Sequence, residues 1–488
     1  MTGFAELLNA EWTKFRTVLG WVTGMAVAAL LVVLVALLAG ISSDQQGSGP
    51  APTGPGGEPV TDSFYFVHRP LTGDGSVTVT VSALESSVPT GLDGVRPGVV
   101  PWAKAGLIVR QSTRQGSPYA AIMVTGDHGV RMQHDYVNDT AGPAGPVRLL
   151  RLVRSGDTIT GYASADGTAW TTVGSARLRL GPTAQGGLFV ASPQAVEGLG
   201  TTSSVSTAAF RDLRLQGGWA GGEWTGEQLG AGSPSFAGYP ADTSGSFAES
   251  GGGLTVTGAG DLAPAVRYSL PTAGTLGNLL TGTFAALIAV IVVGALFITT
   301  EHRTGLIHVT LAAGPGRGRV LLAKAIVLGS VAFVAGLAGT VVAVPLGVRL
   351  ARAHGVYIFP VSASTGLRVA VGTAALLAAA SVLALAVGAV VRSSAAAVTT
   401  VIVAFVLPYL LVANPFMPAG AAAWLTRVTP AAAFAVQQTL VKYPQVANPY
   451  TPYNDYYPLA PWAGLAVLAG YAAAGLAVAA VVLRRRDA

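Results

Sequence analysis

Charge is scarce in this chain, so the places where it gathers are the first to carry chemistry. Between two long apolar runs lies Thr300-Glu-His-Arg-Thr-Gly-Leu-Ile-His-Val-Thr-Leu-Ala-Ala-Gly-Pro-Gly-Arg-Gly-Arg-Val-Leu-Leu-Ala-Lys324. Glu301 and Arg303 close the first run. Gly305 leads an amphipathic segment over Thr304 to Ala313, and a Gly/Pro break carrying Arg317 and Arg319 brings the chain to Lys324. Such residues form ion pairs, contact an acidic protein surface or hold lipid phosphates. Glu301 has two candidate partners, the neighbourhood of Arg303 and the amino-terminal helix. Positive-inside anchoring of a polytopic protein also produces basic loops of this kind.

Other candidate constellations are weaker. Trp102, Tyr119 and Trp170 have the residue type of a sugar-stacking platform, although β-sandwich cores routinely bury such rings. His128 and His134, beside Asp127 and Asp135, form a loop pair without further ligands, so no metal site is expected. Glu85, Glu197 and the scattered Asp residues show no pairing of the kind a glycosidase requires across a cleft. No G-x-x-x-x-G-K-[ST] phosphate loop is present to cradle a nucleotide. We therefore expect no catalytic residues and no cofactor in this chain, which is not read as an enzyme.

The elements that must position these residues are mostly membrane spans. Of 488 residues, 51% are hydrophobic and 11% charged, and the mean hydropathy is +0.53, which excludes an ordinary soluble globule. Much of the formal charge of +6 lies beside apolar runs, where Lys and Arg orient helices, so nucleic acid is discarded as a partner. With no cysteine, neither disulfides nor thiolate metal sites can hold an external part together.

Met1 to Thr17 places Phe4, Leu7, Leu8, Trp12 and Phe15 at helical spacing, as in an interfacial amphipathic helix. Val18 to about Gly40 is long enough to span a bilayer, and longer than the apolar core of a signal peptide, its rival reading. Further spans are expected near Leu279–Thr299, Val320–Leu346, Leu367–Val391, Ala396–Val412 and Trp462–Leu483, making about six. The small residues Ala335, Gly336 and Gly339 permit close helix approach in the third. No span carries an ionisable residue near its middle; Lys324 and Arg368 sit at span ends, where long side chains snorkel. Lys and Arg on the short flanks (Lys14, Arg16, Arg303, Arg317, Arg319, Lys324, Arg392, Arg484 to Arg486) place both termini in the cytoplasm and the long insert outside. An external segment over 414–458, interrupted by Pro430 and rich in Tyr, suits a re-entrant element at the membrane interface.

The insert begins with a Gly/Pro/Ser linker, 42–60, followed by a polar region over 61–268. Ser76–Ser82, Ala105–Arg110, Tyr119–Thr125, Thr158–Tyr162, Thr171–Val173, Gly187–Ala191 and Ala208–Leu215 are short β-branched and aromatic runs, punctuated by turns such as Ser155-Gly-Asp157 and Ala165-Asp-Gly167. Many short strands at this spacing mean a β-sandwich.

Two resemblances attach to these residues. Glu301-His-Arg303-Thr-Gly305, with the Arg317, Arg319 and Lys324 element that follows, resembles the signature of type-2 ABC transporter permeases, in which such elements flank a coupling helix. Phe64-Tyr-Phe66, Pro101-Trp-Ala-Lys-Ala-Gly-Leu-Ile-Val-Arg110, Leu152-Val-Arg-Ser-Gly-Asp157 and Ser164-Ala-Asp-Gly-Thr-Ala-Trp170 resemble laminin-G-like, concanavalin-type jelly-roll modules. The resemblances imply an α-helical polytopic membrane protein with an all-β jelly-roll inserted between spans one and two. They further imply a dimeric exporter subunit, a homodimer or heterodimer of permeases in membrane lipid, with Glu301, Arg303, Gly305, Arg317, Arg319 and Lys324 coupling it to a separate cytosolic ATPase that holds ATP and magnesium. The jelly-roll would recognise substrate, glycan or a protein partner. The alternative is a membrane-anchored surface protein that binds glycan or a partner without transport.

The order of the β elements carries one more expectation. Glu223–Gly230 and Gly253–Asp261 usually precede the strand corresponding to Phe64–Phe66 in such modules, and here they come last. A circular permutation would pair the strand around Leu254 to Val256 beside the Phe64 strand and close a single sandwich.

Overall fold

The computed structural model describes residues 3–41, 51–90, 94–197, 200–230, 245–267, 269–270, 273–306, 316–412, 417 and 419–486. They form two compact units. One comprises Met1–Gln46, Ala273–Val441 and Tyr450–Ala488; the other comprises Gly47–Thr272 with Lys442–Pro449.

The first unit is helical. Its elements are α1 (Phe4–Thr17), α2 (Leu19–Ile41), α3 (Leu276–Leu279), α4 (Gly282–Thr304), α5 (Arg317–Ala353), α6 (Ala363–Val391), α7 (Ser394–Val412), α8 (Ala419–Val428) and α9 (Pro461–Arg486). Six of these, α2, α4, α5, α6, α7 and α9, are long and apolar enough to cross a membrane. Several run further than hydropathy alone predicts: α4 carries on through Glu301, although it starts at Gly282 because the expected Leu279 closes the separate α3, and α5 begins at Arg317. Polar residues at a helix end keep their backbone bonds even where their side chains stop contributing to an apolar window.

Helices α4 and α6 are the most enclosed and α9 the least. Gly336 lies where a methyl group would press on Leu377 and Ala374 of α6, and Gly339 where it would press on Ala29 of α2. These two expected small positions let α5 approach two neighbours closely. Beyond α8, a 3-10 helix over Pro430–Gln437 is buried along its whole length. Its Gln437 amide donates to the hydroxyls of Thr283 and Thr373, at 2.9 and 3.1 Å. Of the segment expected as a re-entrant element, 414–416 and 418 lie outside the described residues.

The second unit is a large antiparallel β-sandwich, inserted in the sequence between α2 and the later helices. Strand Tyr65–Thr90 is its spine. The strand's first part pairs with Thr183–Ala191 on one side and Thr225–Gln228 on the other. Lys104–Arg110, Tyr119–Thr125, Val130–His134 and Asn138–Ala141 extend that sheet in turn. Past Gly73, whose φ of 67° suits glycine, the same strand enters a second sheet. There it pairs with Leu149–Ser155 and Val205–Trp219. The apolar faces meet between the sheets, with Val77, Val79, Val81, Leu107, Ile122, Leu150, Leu152, Leu188 and Val256 all buried.

The first sheet is also covered on its other face. Val60, Phe64, Phe66, Tyr119, Tyr136, Leu229 and Leu262 form a second apolar layer. This explains why every residue of Lys104–Arg110 is buried rather than every other one. The two charged ends of that strand are neutralised in place. Lys104 Nζ lies 2.5 Å from Asp261 Oδ1; Arg110 makes a two-pronged ion pair with Asp62 at 2.7 and 3.2 Å. The Tyr136 hydroxyl donates to the same Asp62 at 2.7 Å. Burial and the Asp62 carboxylate hold the Tyr136 hydroxyl well above the usual tyrosine range.

The linker expected over 42–60 is shorter than its composition suggests. Ala51 is buried and Val60–Asp62 is already a strand, paired with Leu262–Pro264. The late elements do return to the start of the domain, with a different pairing from the one expected. Thr225–Gln228 lies beside Tyr65–His68, whereas Gly253–Gly258 pairs with Val205–Trp219 and Ser246–Ser250. Val446 joins Ala263 and Val266, and the Gln445 amide donates to the Val137 carbonyl at 3.1 Å.

Candidate functional site

Two charged residues of the 300–324 connection, Glu301 and Lys324, converge with two from the amino-terminal helix on a largely buried cluster within the helical unit. Helix α1 starts with the Glu6 carboxylate accepting from the Gly3 amide at 3.1 Å. Its Leu8, Glu11 and Phe15 share one face by helical spacing. Glu11 is 1% exposed and Phe15 2%. Glu301 lies in the last turn of α4 and Lys324 in the second turn of α5. Lys324 Nζ sits 2.7 Å from Glu11 Oε2 and 2.7 Å from Glu301 Oε1. Lys14 Nζ closes the array at 2.8 Å from Glu11 Oε1 and 3.3 Å from Glu301 Oε1. Two carboxylates and two ammonium groups thus alternate, with no net charge.

Aromatic rings wall the cluster. The Phe297 ring, one helical turn before Glu301, lies 4.7 Å from Lys324 Nζ, where its face favours a cation. Phe15 and Trp21 pack edge-on or tilted against Phe297 and each other. Burial pulls the Lys14 ammonium down, but the Glu11 and Glu301 carboxylates outweigh it and hold the group above the ordinary lysine range. It stays charged at neutral pH.

Lys324 does not snorkel, as its place at a span end suggested: it is wholly enclosed. Of Glu301's two sequence-level partners, the amino-terminal helix is the one it meets. Arg303 is exposed and joins no part of the cluster, and Arg319 is exposed as well. Gly305 ends α4 in the left-handed conformation, φ 71° and ψ 1°, a role suited to glycine. Arg317 donates to the carbonyls of Leu483 and Arg484 at 3.0 and 3.2 Å, capping the end of α9. The expected coupling helix, Thr304 to Ala313, lies mostly outside the described residues, which resume at Gly316. The residue that sequence reasoning missed is Glu11. Its spacing from Leu8 and Phe15 was the available signal, and its charge concealed it.

The cluster fixes three helices as one block at the root of the connection. Sliding any of them strands a buried charge, at a cost of several kcal/mol.

In the β unit the three candidate aromatics part company. Tyr119 is wholly enclosed in the covering layer. Trp102 is 6% exposed, stacked on His128 at 3.9 Å between ring centroids. Trp170 instead walls a polar groove of about 400 Å³ whose other sides include Thr78, Thr80, Arg151, Asp212 and Arg214. Among the described residues, no group of three or more His, Cys, Asp or Glu is placed to hold a metal ion.

No protein-family model matches the chain, and no curated protein does. Solved structures similar to part of it include the following three. A functionally unknown protein from Saccharomyces cerevisiae is 13% identical, over 34% of this chain and 82% of its own, with a TM-score of 0.20. A mutant of the GH43 protein BlXynB from Bacillus licheniformis is 17% identical, over 30% of this chain and 27% of its own, with a TM-score of 0.19. SCP-B, an eqolisin-family peptidase in complex with a tripeptide, is 11% identical, over 41% of this chain and 98% of its own, with a TM-score of 0.22. None is similar enough to carry a functional argument.

Proposed function

We propose that this chain is the membrane-spanning subunit of an ATP-driven exporter of the type-2 ABC class. It works as a dimer with separate cytosolic ATPases, both its termini are cytoplasmic, and its β-sandwich lies outside as a recognition module. The observation that carries this reading is the cluster of buried Glu11, Glu301 and Lys324 with half-buried Lys14. Two of the four belong to the charged signature around the connection, and all four brace the helices from which that connection springs. A force applied to the connection would then move α1, α4 and α5 together instead of being lost in bending. The absence of a phosphate loop from the sequence supports a separate source of ATP energy.

Purification from native membranes in mild detergent tests the reading. A stoichiometric protein with a nucleotide phosphate loop, retained through size exclusion and hydrolysing ATP, is the expected result. A chain that purifies alone and confers no ATPase activity favours the anchored surface protein instead.

A further inference from the structure

The groove beside Trp170 has features that neither the sandwich core nor the membrane unit requires. Its floor is the outer face of Tyr65–Thr90 and Leu149–Ser155, where Thr78 and Arg151 stand opposite each other. One wall is a locked turn. The Asp166 carboxylate accepts from the amides of Thr168 and Ala169 at 2.9 and 3.0 Å, and the Trp170 indole donates to the Gly167 carbonyl at 3.1 Å. The Ala169 amide, then Thr168, hold the Asp166 carboxyl well below the usual carboxylate range. Its charge is thus occupied by its own loop. The Arg151 guanidinium lies 4.0 Å over the Trp170 ring and donates to the Thr78 hydroxyl at 3.1 Å.

The opposite wall is strained. Where Val205–Trp219 runs along the spine strand, the register skips from Arg211 to Arg214. Asp212 in this bulge has φ 54°, an uncommon conformation for a residue with a side chain. The bulge sets its carboxylate on the groove, where it accepts from the Thr80 hydroxyl at 3.3 Å. The Arg214 side chain, one turn of the pleat further, makes no hydrogen bond or ion pair among the described residues. Strain of this sort persists where surrounding structure enforces it, and it concentrates at binding sites.

We propose that this groove binds an acidic saccharide, a pyranose bearing a carboxylate. This rests on the recognition role proposed for the β unit and is independent of ATP coupling. The free guanidinium of Arg214 matches a single carboxylate. The Asp212 carboxylate can accept from sugar hydroxyls, and the Trp170 ring edge offers apolar surface for ring C–H groups. A multiply charged phosphate or sulfate would meet repulsion from Asp212. An extended acidic peptide would find no strand edge to pair with, because the floor strand is paired on both sides.

The test uses the full chain in nanodiscs, with tetragalacturonate and a hyaluronan tetrasaccharide as probes. Maltotetraose and hexaglutamate are the controls, and binding is read by calorimetry and saturation-transfer NMR. Binding of at least one acidic probe, weakened tenfold or more by Arg214→Ala and by Asp212→Asn, is expected. Both residues are exposed, so the thermal unfolding of each variant should match the parent. Asn also tolerates the positive φ, which leaves the bulge in place. Acidic-probe binding indifferent to both variants would overturn the groove assignment. Preference for maltotetraose would overturn the acidic class while leaving saccharide recognition standing. Preference for hexaglutamate would overturn the saccharide class, and binding of none of the four would overturn this proposal while leaving the recognition role to be tested with protein partners.

Discussion

Replacing Lys324 with Met keeps the length of the side chain and removes its charge. Lys324 is wholly buried and bonds two carboxylates at 2.7 Å each. Removing one partner from a buried ion pair costs about 3–5 kcal/mol. Here Lys14 remains within 2.8 Å of Glu11 and 3.3 Å of Glu301, and its side chain is 36% exposed, so part of the loss is offset. The lower end, about 3 kcal/mol, is therefore expected. Glu301→Gln alone should also destabilise, because it leaves Lys324 facing a single carboxylate. The double variant should be less damaged than the sum, by about 1–3 kcal/mol, since each change removes the charge that the other stranded. The assay is equilibrium unfolding of the detergent-solubilised chain in mixed micelles, followed by far-ultraviolet circular dichroism, which the helical unit dominates. Strictly additive single effects, agreeing within about 0.5 kcal/mol, would refute the claim that these groups form one energetic unit.

Two further outcomes are expected. In the β unit, Tyr136→Phe leaves the buried Asp62 short of one hydrogen bond and should cost about 1–3 kcal/mol, measured by chemical unfolding at neutral pH. Because burial raises the folded-state pKa of Tyr136 above its unfolded value near 10, its contribution is fully present below about pH 10. It is lost as pH climbs beyond that, since the unfolded chain releases the proton first. Tyr136→Phe should accordingly flatten the alkaline loss of stability, and an unchanged slope would contradict the burial of that hydroxyl as a titrating group. For topology, a membrane-impermeant thiol reagent added outside intact cells should label Thr140→Cys and spare Arg303→Cys, both exposed positions in a chain without native cysteine. The reverse pattern would invert the proposed orientation.

The helices were legible because a run of twenty apolar residues has few other destinies. The strands were legible wherever alternation or β-branching survived in one short window. The charged interior was not. Glu11 and Lys324 are 313 positions apart, and Lys104 and Asp261 are 157 apart. Each residue taken singly resembles a solvated or snorkelling side chain, and only the folded chain brings its partner. The same holds for Asp62, which ties Arg110, Tyr136 and the Gly116 amide together. The groove was half legible: Trp170 stood out by residue type, whereas Arg214 and Asp212 reach it through a bulge that no periodicity announces.

The most direct test of the ATP-coupled reading is a site-directed cross-link from Arg303→Cys, at the exposed end of α4 beside Gly305, made in native membranes with a short bifunctional reagent. The exporter proposal predicts one dominant adduct, with a cytosolic protein bearing a nucleotide phosphate loop, whose yield changes when ATP and vanadate are added. Adducts only with lipid or with the chain itself, unaffected by nucleotide, would contradict it.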